Sequence, residues 1–223
     1  QAAERTREPL TLRSLVTLST RRDVLVPSLL AAVNEYMIFG VSMGFLPLLA
    51  RELGADALAV SRMATLHLVV FTGGNLLAAN AGNRLPRPEA LVLATYPLFA
   101  LGIAACALTR SVPVLFVVQA VLGLAHGIDY PTLMGLSIRE VSGHSRTTAM
   151  GVHQSIYGAG IFVGPWACGL LADALGLRPM FAITAAVGLT LGWGGTALLL
   201  RPTGRGNTPG RRRRRPPAGS RCR

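Results

Sequence analysis

Six stretches of this chain, residues 24–50, 60–81, 90–109, 112–138, 147–172 and 179–200, are long, apolar and almost free of charge. A hydrocarbon core of about 30 Å is crossed by about 20 mainly apolar helical residues, and each run reaches that length. Inside a bilayer every backbone N–H and C=O must be satisfied within the segment, which leaves the α-helix as the only form these runs can take. The breaks between them are short and polar: "RELGAD", "GNRLPRPE", "TRSVP", "IREVSGHSR" and "DALGLRP". The expected fold is all-α, a polytopic membrane protein of six transmembrane helices in one bundle over residues 24–200. Residues 1–23 read as a charged, partly amphipathic cytoplasmic linker, unlike a signal peptide's apolar core. Residues 201–223 read as a disordered tail, "RPTGRGNTPGRRRRRPPAGSRCR", rich in Arg, Pro and Gly.

All the basic residues are arginines, and the net charge of +12 has a sided distribution. With both termini on the cytoplasmic face, eighteen of the 22 arginines fall on that side, and only Arg51, Arg62, Arg110 and Arg178 fall outside. That asymmetry is the positive-inside pattern and orients the chain in a cytoplasmic (cell inner) membrane with both ends inside. The basic tail then lies beside anionic lipid headgroups, which accounts for its charge without a nucleic-acid partner. Cys106, Cys168 and Cys222 are an odd set without metal-ligand spacing. No metal or cofactor is expected. HExxH and a nucleophile beside a base are both missing from the sequence, so no enzymatic role is expected.

A strongly polar side chain in mid-bilayer costs roughly 2.5–3.5 kcal/mol on insertion scales, so its placement is informative. The first span holds Asn34 and Glu35 with Tyr36 beside them. The second holds His67, Asn75 and Asn80, the fourth Gln119, His126 and Asp129, and the fifth His153 and Gln154. The third and sixth hold only hydroxyls, aromatics and small residues, as supporting or lipid-facing helices would. Spans one, two, four and five are therefore expected to surround a common wet cavity. Gln119, His126 and Tyr130 share a helix face, His153 and Tyr157 form an i, i+4 pair, and Asp129 lies about 60° from His126 around the helix. Glu35, Asp129, His126 and His153 are the candidate proton-coupling groups. Asn34, Tyr36, His67, Asn75, Gln119, Tyr130, Gln154 and Tyr157 are the candidate cavity residues that would contact a small-molecule substrate.

Glycines four apart, at 40 and 44, 123 and 127, 160 and 164, and 188 and 192, predict close helix crossings. Pro131 follows Gly127 by one turn and removes a backbone bond there. Gly127, Pro131, Gly160, Gly164 and Pro165 are the candidate packing and hinge positions.

This pattern resembles the carboxy-terminal half of a major facilitator superfamily transporter over residues 10–200. "GAGIFVGPWACGLLADALGLRPMF" is similar to the family's Gly-x-x-x-Gly-Pro segment and the Gly-Leu-Leu-Ala-Asp and Gly-x-Arg that come after it. Gly160, Gly164, Pro165, Gly169, Asp173, Gly176 and Arg178 carry that match. "ANAGNRLPRP" resembles a degenerate copy of the family's Gly-x-x-x-Asp-Arg-x-Gly-Arg-Arg loop. Asn83 stands for the aspartate and Pro86 for the second glycine, while Arg84 and Arg87 match basic positions.

The resemblance implies alternating access of a small solute, with protons as coupling ion and no cofactor. It also implies a partner: an amino-terminal six-span half, of which this chain would be the carboxy-terminal continuation. A half-size protein working as a second-copy homodimer, and a non-transporting scaffold or sensor subunit, are the alternatives the sequence leaves open.

Overall fold

The computed structural model describes residues 12–82 and 87–200. A short helix α1 (Leu12–Ser19) lies within the stretch assigned to the linker, and its Leu18 packs with Val24, Val141, Ala149 and Val152. The first span is composite: α2 (Arg22–Met37) runs into a π-helical segment, Ile38–Phe45, and continues as α3 (Leu46–Glu52). The remaining spans are α4 (Ala57–Gly82), α5 (Glu89–Leu108), α6 (Val112–Arg139), α7 (Arg146–Leu175) and α8 (Leu177–Leu200). Six helices are thus long and apolar enough to cross a membrane, in the places the hydropathy pattern assigned them. Every regular element among the described residues is helical.

The π segment has a local cause. Pro47 offers no N–H to the carbonyl of Met43, and its ring crowds that carbonyl. Gly40 and Gly44, poor helix formers, lower the cost of opening the turn just before it. The N–H of Leu46 reaches back five residues to the oxygen of Val41. This wider turn rotates α3 relative to α2 and sets the direction in which Ser42 points.

The connections at one end of the bundle use glycine where the backbone demands it. Gly176 ends α7 at φ +90° and lets α8 begin one residue later, a conformation costly for any residue with a Cβ. At the other end, Arg139 on α6 pairs with Glu89 at the start of α5 at 2.8 Å. Arg21 pairs with Asp23 and donates to the carbonyl of Glu140 at 3.3 Å. The Arg22 guanidinium donates to the carbonyl of Leu198.

Packing pairs α4 with α6, α5 with α8, and α2 with α7, while α2 also meets α6 and α8 and α5 also meets α6. The core runs through Leu30, Met37, Val41, Met63, Tyr96, Phe99, Leu122 and Phe181, all buried. The pairings rest on glycine. A Cβ on Gly123 of α6 would lie 2.7 Å from the backbone oxygen of His67 on α4, and one on Gly127 would run into the backbone oxygen of Phe71. On the other side, Gly160 of α7 faces the backbone of Ala32, and a Cβ on Gly164 would lie 2.6 Å from the oxygen of Tyr36. Of the four spaced glycine pairs, only Gly44 meets nothing beyond its own helix. The outward faces of α4 and α7 remain apolar and exposed, with Leu68, Val69 and Leu76 on one and Phe162, Trp166 and Leu170 on the other.

Replacing Gly127 or Gly160 with leucine should therefore destabilise the bundle by at least about 1–3 kcal/mol, because the side chain meets backbone that cannot swing aside. Gly73 and Gly151, whose added Cβ would meet nothing within 4 Å, should accept alanine without loss. Melting temperatures of the purified variants in detergent compare the two classes directly.

Candidate functional site: a buried polar chain between the spans

Glu35 sits thirteen residues into the first span, 1% exposed, with no cation from a neighbouring turn to meet it. Its partner comes from α6: Oε1 lies 3.1 Å from His126 Nε2. His126 Nδ1 in turn lies 3.5 Å from Nε2 of His67 on α4. His67 Nδ1 lies 3.1 Å from Ser42 Oγ in the π segment. Ser42 Oγ donates to Gln119 Oε1 at 2.6 Å, and Gln119 Nε2 donates back to the carbonyl oxygen of Ser42 at 3.2 Å. Five side chains from three spans thus form one continuous polar chain. Each of them is nine-tenths or more buried.

Asp129, fully buried, belongs to a second cluster. Asn34 Nδ2 donates to Asp129 Oδ2 at 2.8 Å, and Thr95 Oγ1 lies 2.8 Å from Oδ1, its one hydroxyl hydrogen shared between that oxygen and the carbonyl of Val92 at 2.9 Å. Asn34 and Glu35 are sequence neighbours, so α2 brings the two clusters side by side. A third contact joins α2 to α7. Ser28 gives its hydroxyl hydrogen to the carbonyl of Val24 at 2.6 Å, so toward His153 Nδ1, 3.0 Å away, it accepts. Among the described residues, Asn34 Oδ1, Glu35 Oε2 and His153 Nε2 are buried without a hydrogen-bond partner.

An aromatic group closes the chain on the side of α7. Phe71 lies against His126 with ring centroids 4.6 Å apart, and Tyr130 touches Phe71, His126 and Tyr157, the last at 5.7 Å. All four rings come from α4, α6 and α7, and Tyr130 and Tyr157 are half-buried.

Set against the sequence expectations, the structure brings Glu35, His126, His67 and Gln119 together, and Asn34 with Asp129, without exposing them on an open wet face. The two carboxylates lie between packed helices, with side-chain partners on three of their four oxygens among the described residues. Asp129 faces α5, a helix read as a mere support. Tyr130 and Tyr157 meet, with ring centroids 5.7 Å apart. Tyr36 is half-buried with its hydroxyl 3.4 Å from Thr184. Asn75 turns back to the carbonyl of Phe71 on its own helix at 3.1 Å, and Gln154 is exposed on α7. In the loop motif Asn83 and Arg84 lie outside the described residues. Arg87 is exposed, and Glu89, the nearest carboxylate in sequence, is engaged by Arg139 instead. Pro131 and Pro165 lie within continuous helices α6 and α7. Sequence reasoning missed Ser42 and Thr95. Hydroxyls in apolar spans are common and normally bond their own helix, so only a partner far away in sequence marks these two.

Comparison with known proteins gives this arrangement a setting. A sequence model described as Major Facilitator Superfamily matches residues 28–221, most of the chain. The chain is similar to proteins named "Multidrug resistance protein MdtG" from several strains of Escherichia coli, among them strain 55989 / EAEC and strain K12 / DH10B. Identity is 28% over 153 residues in both, covering 67% of this chain and 37% of the relative. The chain thus spans well under half the length of the curated relatives it matches.

Thr95→Val would leave Asp129 Oδ1 without its donor in a fully buried site, which typically costs about 1–3 kcal/mol, more for a charged group. Thr95→Ser retains the hydroxyl and should lose far less. Thermal unfolding of the two variants in detergent measures the difference, and equal melting temperatures would show that Asp129 draws nothing from α5.

Proposed function

This chain belongs to the Major Facilitator Superfamily, and from that premise we propose that it is one six-span half of a membrane transporter that moves a small solute by alternating access, driven by protons. The half rocks against a second six-span half around a site near the bilayer midplane. The carboxy-terminal position, with both termini cytoplasmic, is the arrangement that the arginine asymmetry and the family's loop and Gly-Pro motifs support. The name of the relatives supports a drug-like solute.

The observation that carries proton coupling is the polar chain from Glu35 through His126 and His67 to Ser42 and Gln119. A buried carboxyl beside an imidazole is a site where one proton can be held away from water and handed on when the surrounding helices separate. Glu35 is the proton carrier in this reading, His126 its partner, and the Asp129 cluster the polar anchor next to it. Tyr130, Tyr157 and Phe71 form the aromatic wall against which an apolar or cationic solute rests.

In proteoliposomes of the native transporter, Glu35→Gln should lower transport driven by a pH gradient by roughly tenfold or more. Solute exchange without a gradient should persist, because binding and rocking do not consume the proton. Unchanged gradient-driven transport would reject the role of Glu35. The orientation has its own check in intact cells. A cysteine at Arg110 should react with a membrane-impermeant maleimide from outside, and one at Ser142 only after permeabilisation.

A further inference from the structure

Hydrogen-bond accounting along the buried chain leads to a role for a residue that touches neither Glu35 nor its histidine. The backbone oxygen of Ser42 can only accept. Gln119 must therefore present its amide nitrogen to it, as the 3.2 Å contact has it, and this turns Oε1 toward Ser42 Oγ at 2.6 Å. An amide oxygen also only accepts, so the single hydroxyl hydrogen of Ser42 is committed to Gln119. Toward His67 Nδ1, 3.1 Å away, Ser42 Oγ is left as an acceptor, and His67 must carry its hydrogen on Nδ1. Buried with no carboxylate against it among the described residues, the His67 ring stays neutral; it then offers a lone pair at Nε2, and His126 donates from Nδ1 across the 3.5 Å contact. At the far end, His126 Nε2 and Glu35 Oε1 face each other at 3.1 Å as two acceptors unless one proton lies between them.

We infer that Gln119, acting through the Ser42 hydroxyl, sets the direction of this hydrogen-bond chain and thereby holds one proton at the Glu35 and His126 pair, making the Gln119 end of the chain a barrier to proton leak. The inference rests on the proton-coupling reading for its significance, and on hydrogen-bond geometry with a neutral His67 for its content.

For the pair to lose its proton while the chain stays intact, every link must reverse: His126 donating to Glu35, His67 donating to His126 from Nε2, and Ser42 donating to His67. The last step withdraws the hydrogen from between Ser42 Oγ and Gln119 Oε1 and leaves two oxygens in contact. The amide cannot flip to relieve this, because its oxygen would then face the Ser42 carbonyl. The proton leaves without that conflict only if a link of the chain opens, either Glu35 from His126, which requires α2 and α6 to move apart, or His126 from His67 at 3.5 Å, which requires α6 and α4 to do so. The other ionisable groups around the pair are Asp129, held by Asn34, and the hydroxyls of Tyr96, Tyr130 and Tyr157; Tyr96 donates to the carbonyl of Leu30 at 2.8 Å, and none of the four bonds to the chain among the described contacts. The π turn is part of the device, since it presents both the hydroxyl and the carbonyl of Ser42 to a single amide.

The test reads the tautomer directly. Nitrogen-15 spectra of histidine-labelled native transporter in lipid bilayers separate Nδ1–H from Nε2–H imidazole, and a His67→Asn variant assigns the signal. We expect His67 as the Nδ1–H form, converting to the Nε2–H form in Gln119→Leu. Should that variant fail to fold, Gln119→Met, closer in shape to glutamine, removes the same amide and should give the same conversion. Passive proton influx into proteoliposomes should rise severalfold in whichever variant converts. An Nε2–H tautomer in the unmodified protein, or an unchanged tautomer in every folded variant, would overturn the inference, as would conversion without added leak. A converted tautomer with added leak, alongside full gradient-driven transport in Glu35→Gln, would uphold this role for Gln119 and remove only the coupling reading.

Discussion

Two helix backbones come into contact at Gly123 and Gly127, and the polar interior depends on that contact. With no side chain on either glycine, α6 lies directly against His67 and Phe71 of α4. His126, between the two glycines in register, then meets the side chains of the very residues whose backbones the glycines touch. A larger residue at either position would push α4 outward and open the 3.5 Å link between the two histidines. Gly160 and Gly164 act similarly between α7 and α2, seating the first span so that Asn34 and Glu35 face inward. In a bilayer, where lipid tails are as apolar as leucine, such close backbone packing supplies much of the attraction between helices.

Hydrocarbon then imposes a second requirement: polar groups carried inside must satisfy one another. The two carboxylates meet it differently. Asp129 accepts from two neutral donors, Asn34 and Thr95, one on each oxygen, an environment that suits a fixed anchor. Glu35 has a histidine on one oxygen and, among the described residues, no hydrogen-bond partner on the other, an environment that can gain and lose a proton. Position within the spans does not distinguish them; partners do.

Much of the fold was legible in the sequence because hydropathy acts on one helix at a time. A run of twenty apolar residues is a span whatever its neighbours are, and paired glycines mark crossings wherever they occur. The polar residues that mattered were also visible as exceptions in apolar surroundings: Glu35, His67, Gln119, His126 and Asp129. Their relations were not. Gln119 and His67 read as cavity residues and turned out to be links to Glu35. Gln154 read as one and lies exposed. Asn75 satisfies itself on its own helix. Thr95 and Ser42 were invisible among the many hydroxyls of the spans. The π turn around Ser42 needed the geometry of Pro47 against Met43, which no periodicity reports.

By itself, then, the sequence determined the number of spans, their order, the glycine seams, and the small set of polar groups the membrane must accommodate. Each of these comes from the solvation of a single segment. The tertiary structure decided which polar groups bond to which, joining Glu35 to His126 across 91 residues, Ser42 to Gln119 across 77, and Asn34 to Asp129 across 95. Such pairings depend on the rotation and axial offset of one helix against another. Those are fixed by backbone contacts at a few glycines and by one widened turn, to within the fraction of an ångström that separates a hydrogen bond from its absence.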